Sequence, residues 1–316
     1  MRRRGPVIVV LLLVLAACAA SPPAGELRVS GAFGAVPTVV FPSGGPAGQA
    51  RSGLVSEGYG RPVAAGETAI VHFTAHTWDE LGARVADSSF RRGVPAVFPL
   101  GELLPGLEAA LLGRRVGSRV TALIPAAEAA AVTSAGATPT AGSTGSTEGA
   151  EDDDATLRPG PELFYVIDIL GVHGPGETVI GAPGGRLGGV TVAPGTPPEL
   201  SIPAAPAPGF ATAVLGRGSG PRVEAGQLVV THYSGAVWRD GRPFESTWTR
   251  SRPKAVTIGV GNVIAGWDRA LLGVPVGSRV LVIVPPALGY GAAGLPAQGV
   301  RGDDTLVFVM DVLAAY

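Results

Sequence analysis

The sequence predicts an α+β protein of two successive domains, each a curved antiparallel sheet with one short helix packed across it. Three observations carry that expectation. The chain has 316 residues, enough to close two hydrophobic cores of ordinary size. Its 48 Gly and 29 Pro exceed what long helices tolerate, whereas its Val- and Thr-bearing runs suit short strands joined by turns. Most tellingly, the chain repeats itself: the run from Ala110 to Val120, ALLGRRVGSRV, returns as ALLGVPVGSRV from Ala270 to Val280, 160 residues later. The same step carries Ala65, Gly66, His72, Phe73 and Trp78 onto Ala225, Gly226, His232, Tyr233 and Trp238. A shared bias toward Ala and Gly does not align a Trp and a His, so the chain reads as a tandem duplication.

Taken in order, residues 1–17 form a targeting segment rather than part of the fold. Arg2, Arg3 and Arg4 make a positive start, and Val7 to Ala17 is an apolar run too short to span a bilayer comfortably. The run ends in Leu15, Ala16, Ala17 and Cys18, which resembles the bacterial lipobox, in which Cys18 is lipidated and becomes the mature N-terminus. Cys18 is the only cysteine, so a disulfide framework is excluded. The resulting expectation is an extracytoplasmic protein held to the cell membrane by a lipid anchor. Residues 18–34 read as a small-residue tether and 35–172 as the first domain. Within it, about 126–161 reads as a disordered insertion, rich in Thr, Ser, Gly, Ala and Pro up to Ser146 and acidic from Glu151 to Asp154. Residues 173–198 form a Gly- and Pro-rich linker with few apolar anchors, so the two domains are expected to tumble independently. The second domain is 199–316.

In the second copy, Leu228 to Tyr233, Arg279 to Val284 and Thr305 to Leu313 have strand character. Between them, Ile264, Trp267 and Leu271 recur at helical spacing, and Gly273 supplies a C-terminal stop. Net charge is only −1, and no basic stripe interleaved with aromatics could neutralise a phosphate backbone, so nucleic acid is set aside. The four histidines lack ligand spacing and Asp152 to Asp154 read as a solvated run, so neither a metal nor another cofactor is expected.

Tyr233 in VTHYSG, Phe244 and Glu245 in RPFES, Val263, Ile264 and Trp267 in GNVIAGW, Tyr290 in PPALGYG and Phe308 in TLVF arrive in the order, and near the spacing, of one family. The second copy resembles the FKBP-type peptidyl-prolyl cis/trans isomerases. The resemblance implies a strongly bent sheet wrapped around one helix, with a pocket between them. It implies that Trp267 is the floor on which a proline ring lies, walled by Tyr233, Phe244, Val263, Ile264 and Phe308. It further implies that the Ile264 N–H holds the substrate carbonyl and that the Tyr290 hydroxyl donates to a carbonyl or to the displaced amide oxygen. Implied ligands are proline-containing polypeptides and macrolides that fill such pockets.

Four positions depart from the family pattern. Glu245 stands where Asp is usual, and its extra methylene moves the catalytic carboxylate that the resemblance implies pairs with the tyrosine hydroxyl or faces the twisting nitrogen. Lys254 replaces a common wall aromatic, Asn262 a common Glu, and Leu295 a frequent aromatic or His in the loop that tunes the residue preferred before proline. The first copy departs further: Phe73, Asp87, Leu103, Leu104 and Tyr165 keep wall positions, but Leu107 occupies the Trp position and Ala86 the Phe position. No Tyr-Gly pair follows Pro125. The first domain is therefore expected to fold and to be weak or silent as a catalyst. The leading expectation is an isomerase acting on exported proteins; the alternative is a non-catalytic peptide-binding or holdase module at the cell envelope.

Overall fold

The computed structural model of the chain describes residues 26–46, 48–134, 161–204 and 209–316. The expected signal peptide, Cys18 and most of the expected insertion lie outside them.

The first domain runs β1 (Arg28–Ser30), β2 (Thr38–Val40), β3 (Arg51–Ser56), β4 (Thr68–Asp79), β5 (Gly82–Ser88), α1 (Ser89–Arg92), β6 (Ala96–Pro99), α2 (Pro105–Leu111), β7 (Arg119–Ile124), α3 (Ala126–Ser134) and β8 (Glu162–His173). The second runs β9 (Gly185–Leu187), β10 (Val190–Val192), β11 (Leu200–Ser201), β12 (Ala211–Gly216), β13 (Leu228–Val237), β14 (Pro243–Ser246), β15 (Lys254–Thr257), α4 (Ala265–Leu271), β16 (Arg279–Val284) and β17 (Leu306–Ala315). Each domain has a six-stranded antiparallel sheet of the same topology: β3-β7-β8-β4-β5 with β6 also on β4, and β12-β16-β17-β13-β14 with β15 also on β13. In each, one long strand is shared end to end by two short partners and its register slips by a residue at bulges, near Ile70 and Ala75 in β4 and near Val230 and Gly235 in β13. Such slips bend a sheet, and the bent sheet receives the helix on its concave side.

On that side of the second domain, alternate residues of three strands, Val229 and Tyr233, Val280, Val282 and Val284, and Phe308, Met310 and Val312, meet Trp267 and Leu271 of α4. The opposite face is equally apolar, which is why all six residues of β16 are buried. There Leu281, Ile283, Val307, Val309 and Trp238 lie beneath Val190, Val192 and Leu200 of the β9–β11 sheet.

The segment expected as a bare linker over 173–198 is thus largely a structural cover. The β1–β2 hairpin does the same for the first domain, setting Val29 and Val39 on Trp78, Leu123, Phe164 and Val166, so the expected 18–34 tether is already folded from Arg28. A fully buried ion pair fastens each cover. Arg119 donates to Asp168 at 2.6 and 2.7 Å and to the Gly31 and Ala35 carbonyls; Arg279 donates to Asp311 at 2.6 and 2.9 Å and to the Gly195 carbonyl. A buried guanidinium needs such partners, because an unpaired charge away from water is prohibitively costly. The expected insertion likewise opens as helix α3 before leaving the described residues.

The expectation of independent tumbling is overturned. Ile70 and Leu170 of the first domain pack with Leu228, Val230, Leu313 and Tyr316 of the second in one apolar cluster. The Tyr316 hydroxyl lies 2.9 Å from Nε2 of His173, and it sits so close to Gly171 that a Cβ there would fall 1.8 Å from it. Two apolar strand faces, each left uncovered by its own domain, cover one another.

Candidate active site

Helix α4 delivers the central aromatic ring. Its second residue, Gly266, passes so near β16 that a Cβ would meet Val284 side-chain atoms at 2.6 Å, so the small residue lets the helix lie flat and sinks Trp267 into the concave face. The indole is 5% exposed and is met edge-on by Tyr233, at a centroid distance of 4.7 Å, and by Phe308, at 5.4 Å. Asp268, one residue further along the helix, accepts hydrogen bonds from the N–H groups of Gly259 and Gly261 at 2.6 and 3.0 Å. That carboxylate fixes the loop leading to Asn262, Val263 and Ile264. Glu108 holds the Gly101 N–H in the same way in the first domain.

Above Trp267 opens a cavity of about 500 Å³. One side is formed by Val263, Ile264 and Ala265 at the start of α4, another by Tyr233, Glu245, Lys254 and Val256 from the sheet, and the far rim by Gly289 and Tyr290. Tyr290 is placed there by consecutive 3-10 turns, Pro286–Leu288 and Gly291–Ala293. Ile264 precedes the first residue of α4, where a helix leaves its N–H groups unbonded, and no acceptor among the described residues meets its N–H.

The cavity thus gathers Tyr233, Glu245, Val263, Ile264, Trp267 and Tyr290. Phe308, Phe244 and Leu295 belong to the same apolar cluster as Tyr233, Val263, Ile264, Trp267 and Tyr290. Phe308 is buried behind Trp267, and Phe244 packs edge-on against Phe308 at 5.7 Å. Gly235 makes room for both rings, since a Cβ there would fall within 3 Å of each. Leu295 pairs with Val300 and packs against the core. The longer side chain of Glu245 turns its carboxylate to Arg250, at 3.1 Å.

The Tyr233 hydroxyl and the Trp267 indole N–H are both buried without a hydrogen-bond partner. Although Glu245 faces the Tyr233 hydroxyl, no hydrogen-bond geometry is reached. Burial foremost, and then the nearby Glu245 carboxylate, push the Tyr233 and Tyr290 phenols above their ordinary pKa of 10.0. Both phenols therefore stay protonated at neutral pH, with hydrogens to donate. Three donors, the Tyr233 and Tyr290 hydroxyls and the Trp267 N–H, around an apolar floor suit a ligand with carbonyl oxygens and a compact apolar ring.

The same strands in the first domain surround Leu107, which is buried, with different neighbours. Register places Phe98 where the second domain has Val256, and Leu107 where it has Trp267. Phe98 is buried 5.4 Å from Phe73 and shares one core with Leu107. Arg92, ion-paired with Asp87, covers the Phe73 ring. Glu128 of α3 accepts the Gly106 N–H at the start of α2, and the Tyr165 phenol is pushed up to about 12 by burial and by Asp87. The equivalence of Phe98 and Val256 runs at a step of 158 residues rather than 160, so the repeat as read from the sequence does not show it.

Residues 60–145 and 220–313 each match the family described as FKBP-type peptidyl-prolyl cis-trans isomerase. The chain is 36% identical over 118 residues to an FK506-binding protein of Streptomyces anulatus, covering 37% of this chain and 95% of that relative. It is 42% identical over 90 residues to FK506-binding protein 2B of Rhizopus delemar, covering 28% of this chain and 42% of that protein. With the Homo sapiens peptidyl-prolyl cis-trans isomerase FKBP2 it shares 38% identity over 88 residues, covering 28% of this chain and 61% of the other.

Proposed function

Because this chain belongs to the FKBP-type peptidyl-prolyl cis-trans isomerases, we propose that its second domain turns X-Pro bonds of exported polypeptides between cis and trans without covalent chemistry. The reaction has a barrier of about 18–20 kcal/mol because a planar amide is resonance-stabilised. A twisted amide has lost that resonance and is less polar across its C–N bond, so an apolar surface binds it relatively better than the planar form. Every ~1.4 kcal/mol of such preference speeds the reaction tenfold.

The observation that carries the proposal is the Trp267 floor, buried on its other sides and open to a cavity of about 500 Å³. The proline ring lies on the indole between Tyr233, Val263 and Ile264. The Ile264 N–H, which has no other acceptor among the described residues, holds the substrate carbonyl. The Tyr290 hydroxyl, protonated and on the opposite rim, donates to the amide oxygen as it swings out of plane. Glu245 holds Arg250 at the edge of the site. Phe308 and Phe244 keep the indole upright from behind. The first domain, with Leu107 and Phe98 in its core and Arg92 over the Phe73 ring, serves as the partner against which the catalytic domain is mounted.

The leader motif ending at Cys18 supports an extracytoplasmic, lipid-anchored location and therefore exported clients. Changing Cys18→Ser moves the full-length protein from the membrane fraction to the soluble one if the anchor is real; an unchanged distribution would refute it. For the catalytic reading, cis/trans exchange in a proline peptide accelerates on adding the protein, and a macrolide that fills such pockets abolishes the acceleration by competition. Exchange at the uncatalysed rate would overturn it, and peptide affinity without acceleration would favour a binding module.

A further inference from the structure

A second depression, of about 490 Å³, adjoins the catalytic cavity and shares Glu245 and Lys254 with it. It lies where the domains meet: Glu102 comes from the first, and Arg250, Arg252 and Lys254 from the second. A peptide whose proline rests on Trp267 must leave the catalytic cavity past its rim, and on this side the rim opens into the depression.

Its charges are unequally matched. Glu245 pairs with Arg250 at 3.1 Å, and Glu102 pairs with Arg252 across the domain boundary. Lys254 is exposed and has no carboxylate partner among the described residues; its ammonium group stands 5.9 Å from the centre of the Tyr233 ring. The doorway between the two spaces therefore carries one unneutralised positive charge, held over the wall of the proline site. The first domain has no counterpart, since Ala96, which holds the equivalent register on β4, is buried.

We propose that Lys254 is a specificity-determining residue selecting substrates with Glu or Asp close to the proline, and that the depression between the domains receives that acidic side chain. This rests on the isomerase reading above and adds a substrate class to it. It also gives the first domain a part in recognition: Glu102 holds Arg252 aside, leaving Lys254 as the cation that meets the peptide.

The test uses the full-length protein and peptides that are identical except for Glu, Gln or Lys at each of the two positions before and after the proline. At one or more positions, the kcat/KM ratio of Glu to Gln peptide should be roughly three to five, the reach of a partly exposed ion pair, and should shrink as salt is raised. The ratio should fall to one in Lys254→Met, survive in Lys254→Arg and invert in Lys254→Glu. Equal ratios in the wild type and Lys254→Met, or a preference for Lys peptides, would overturn the assignment. Should even the Gln peptides not be turned over, the isomerase reading fails instead. The same Glu-to-Gln ratio measured as affinity then judges Lys254: a preference lost in Lys254→Met supports it, and equal affinities in both proteins refute it.

Discussion

Glu245, one methylene longer than the aspartate expected at its position, sets its carboxylate 3.1 Å from Arg250. The same carboxylate lies near the Tyr233 and Tyr290 phenols and, after burial, is what raises their pKa. A negative charge near a phenol disfavours the phenolate, so removing it must lower the phenol pKa. Glu245→Gln should move the alkaline ultraviolet titration of Tyr233 and Tyr290 to lower pH while changing isomerisation at neutral pH by less than about tenfold, since both phenols remain protonated in either protein. An unmoved titration would show that burial alone sets these values. At this scale the sequence was informative where one side chain has one job, as at Trp267 and Tyr290. It could not show how Phe308 packs on the indole and Phe244 on Phe308, because an aromatic packed against the floor and an aromatic on the wall leave the same letter at the same spacing.

Strands and helices tell a similar story. The catalytic helix and the three long strands of the second domain were legible from period and punctuation, with observed ends within a few residues of those expected. The covering sheets were not. Val190 and Val192 alternate as a strand should, but the run is three residues long and set among Gly and Pro. Only the apolar outer face of the main sheet and the buried Arg279–Asp311 pair give it a place to dock. The first domain shows how an element can be kept while its site is lost: Leu107 and Phe98 together replace Trp267 and Val256. Installing the indole alone therefore overfills a packed core. Leu107→Trp should destabilise the first domain by about 1–3 kcal/mol, seen as a lowered Tm, and adding Phe98→Val should recover much of the loss. A rise in Tm for the single variant would mean that the space is already empty.

For the whole molecule, the decisive feature is that two sheets with apolar faces are joined back to back through Ile70, Leu228, Val230 and Tyr316. Composition around the linker suggested flexibility because a sequence does not reveal which strand faces lack a cover within their own domain. The structure makes the pair one body, and backbone 15N relaxation should return a single rotational correlation time for both sheets. Two shorter, separate times would contradict that. The catalytic claim concentrates on one ring in this assembly. The most direct test compares cis/trans exchange of a proline peptide, by magnetisation transfer, with the full-length wild type and with Trp267→Leu of unchanged circular dichroism. The account predicts clear acceleration by the wild type and at least about a tenfold loss in the variant, equivalent to ~1.4 kcal/mol of lost preference for the twisted amide. Equal acceleration by the two proteins would contradict it.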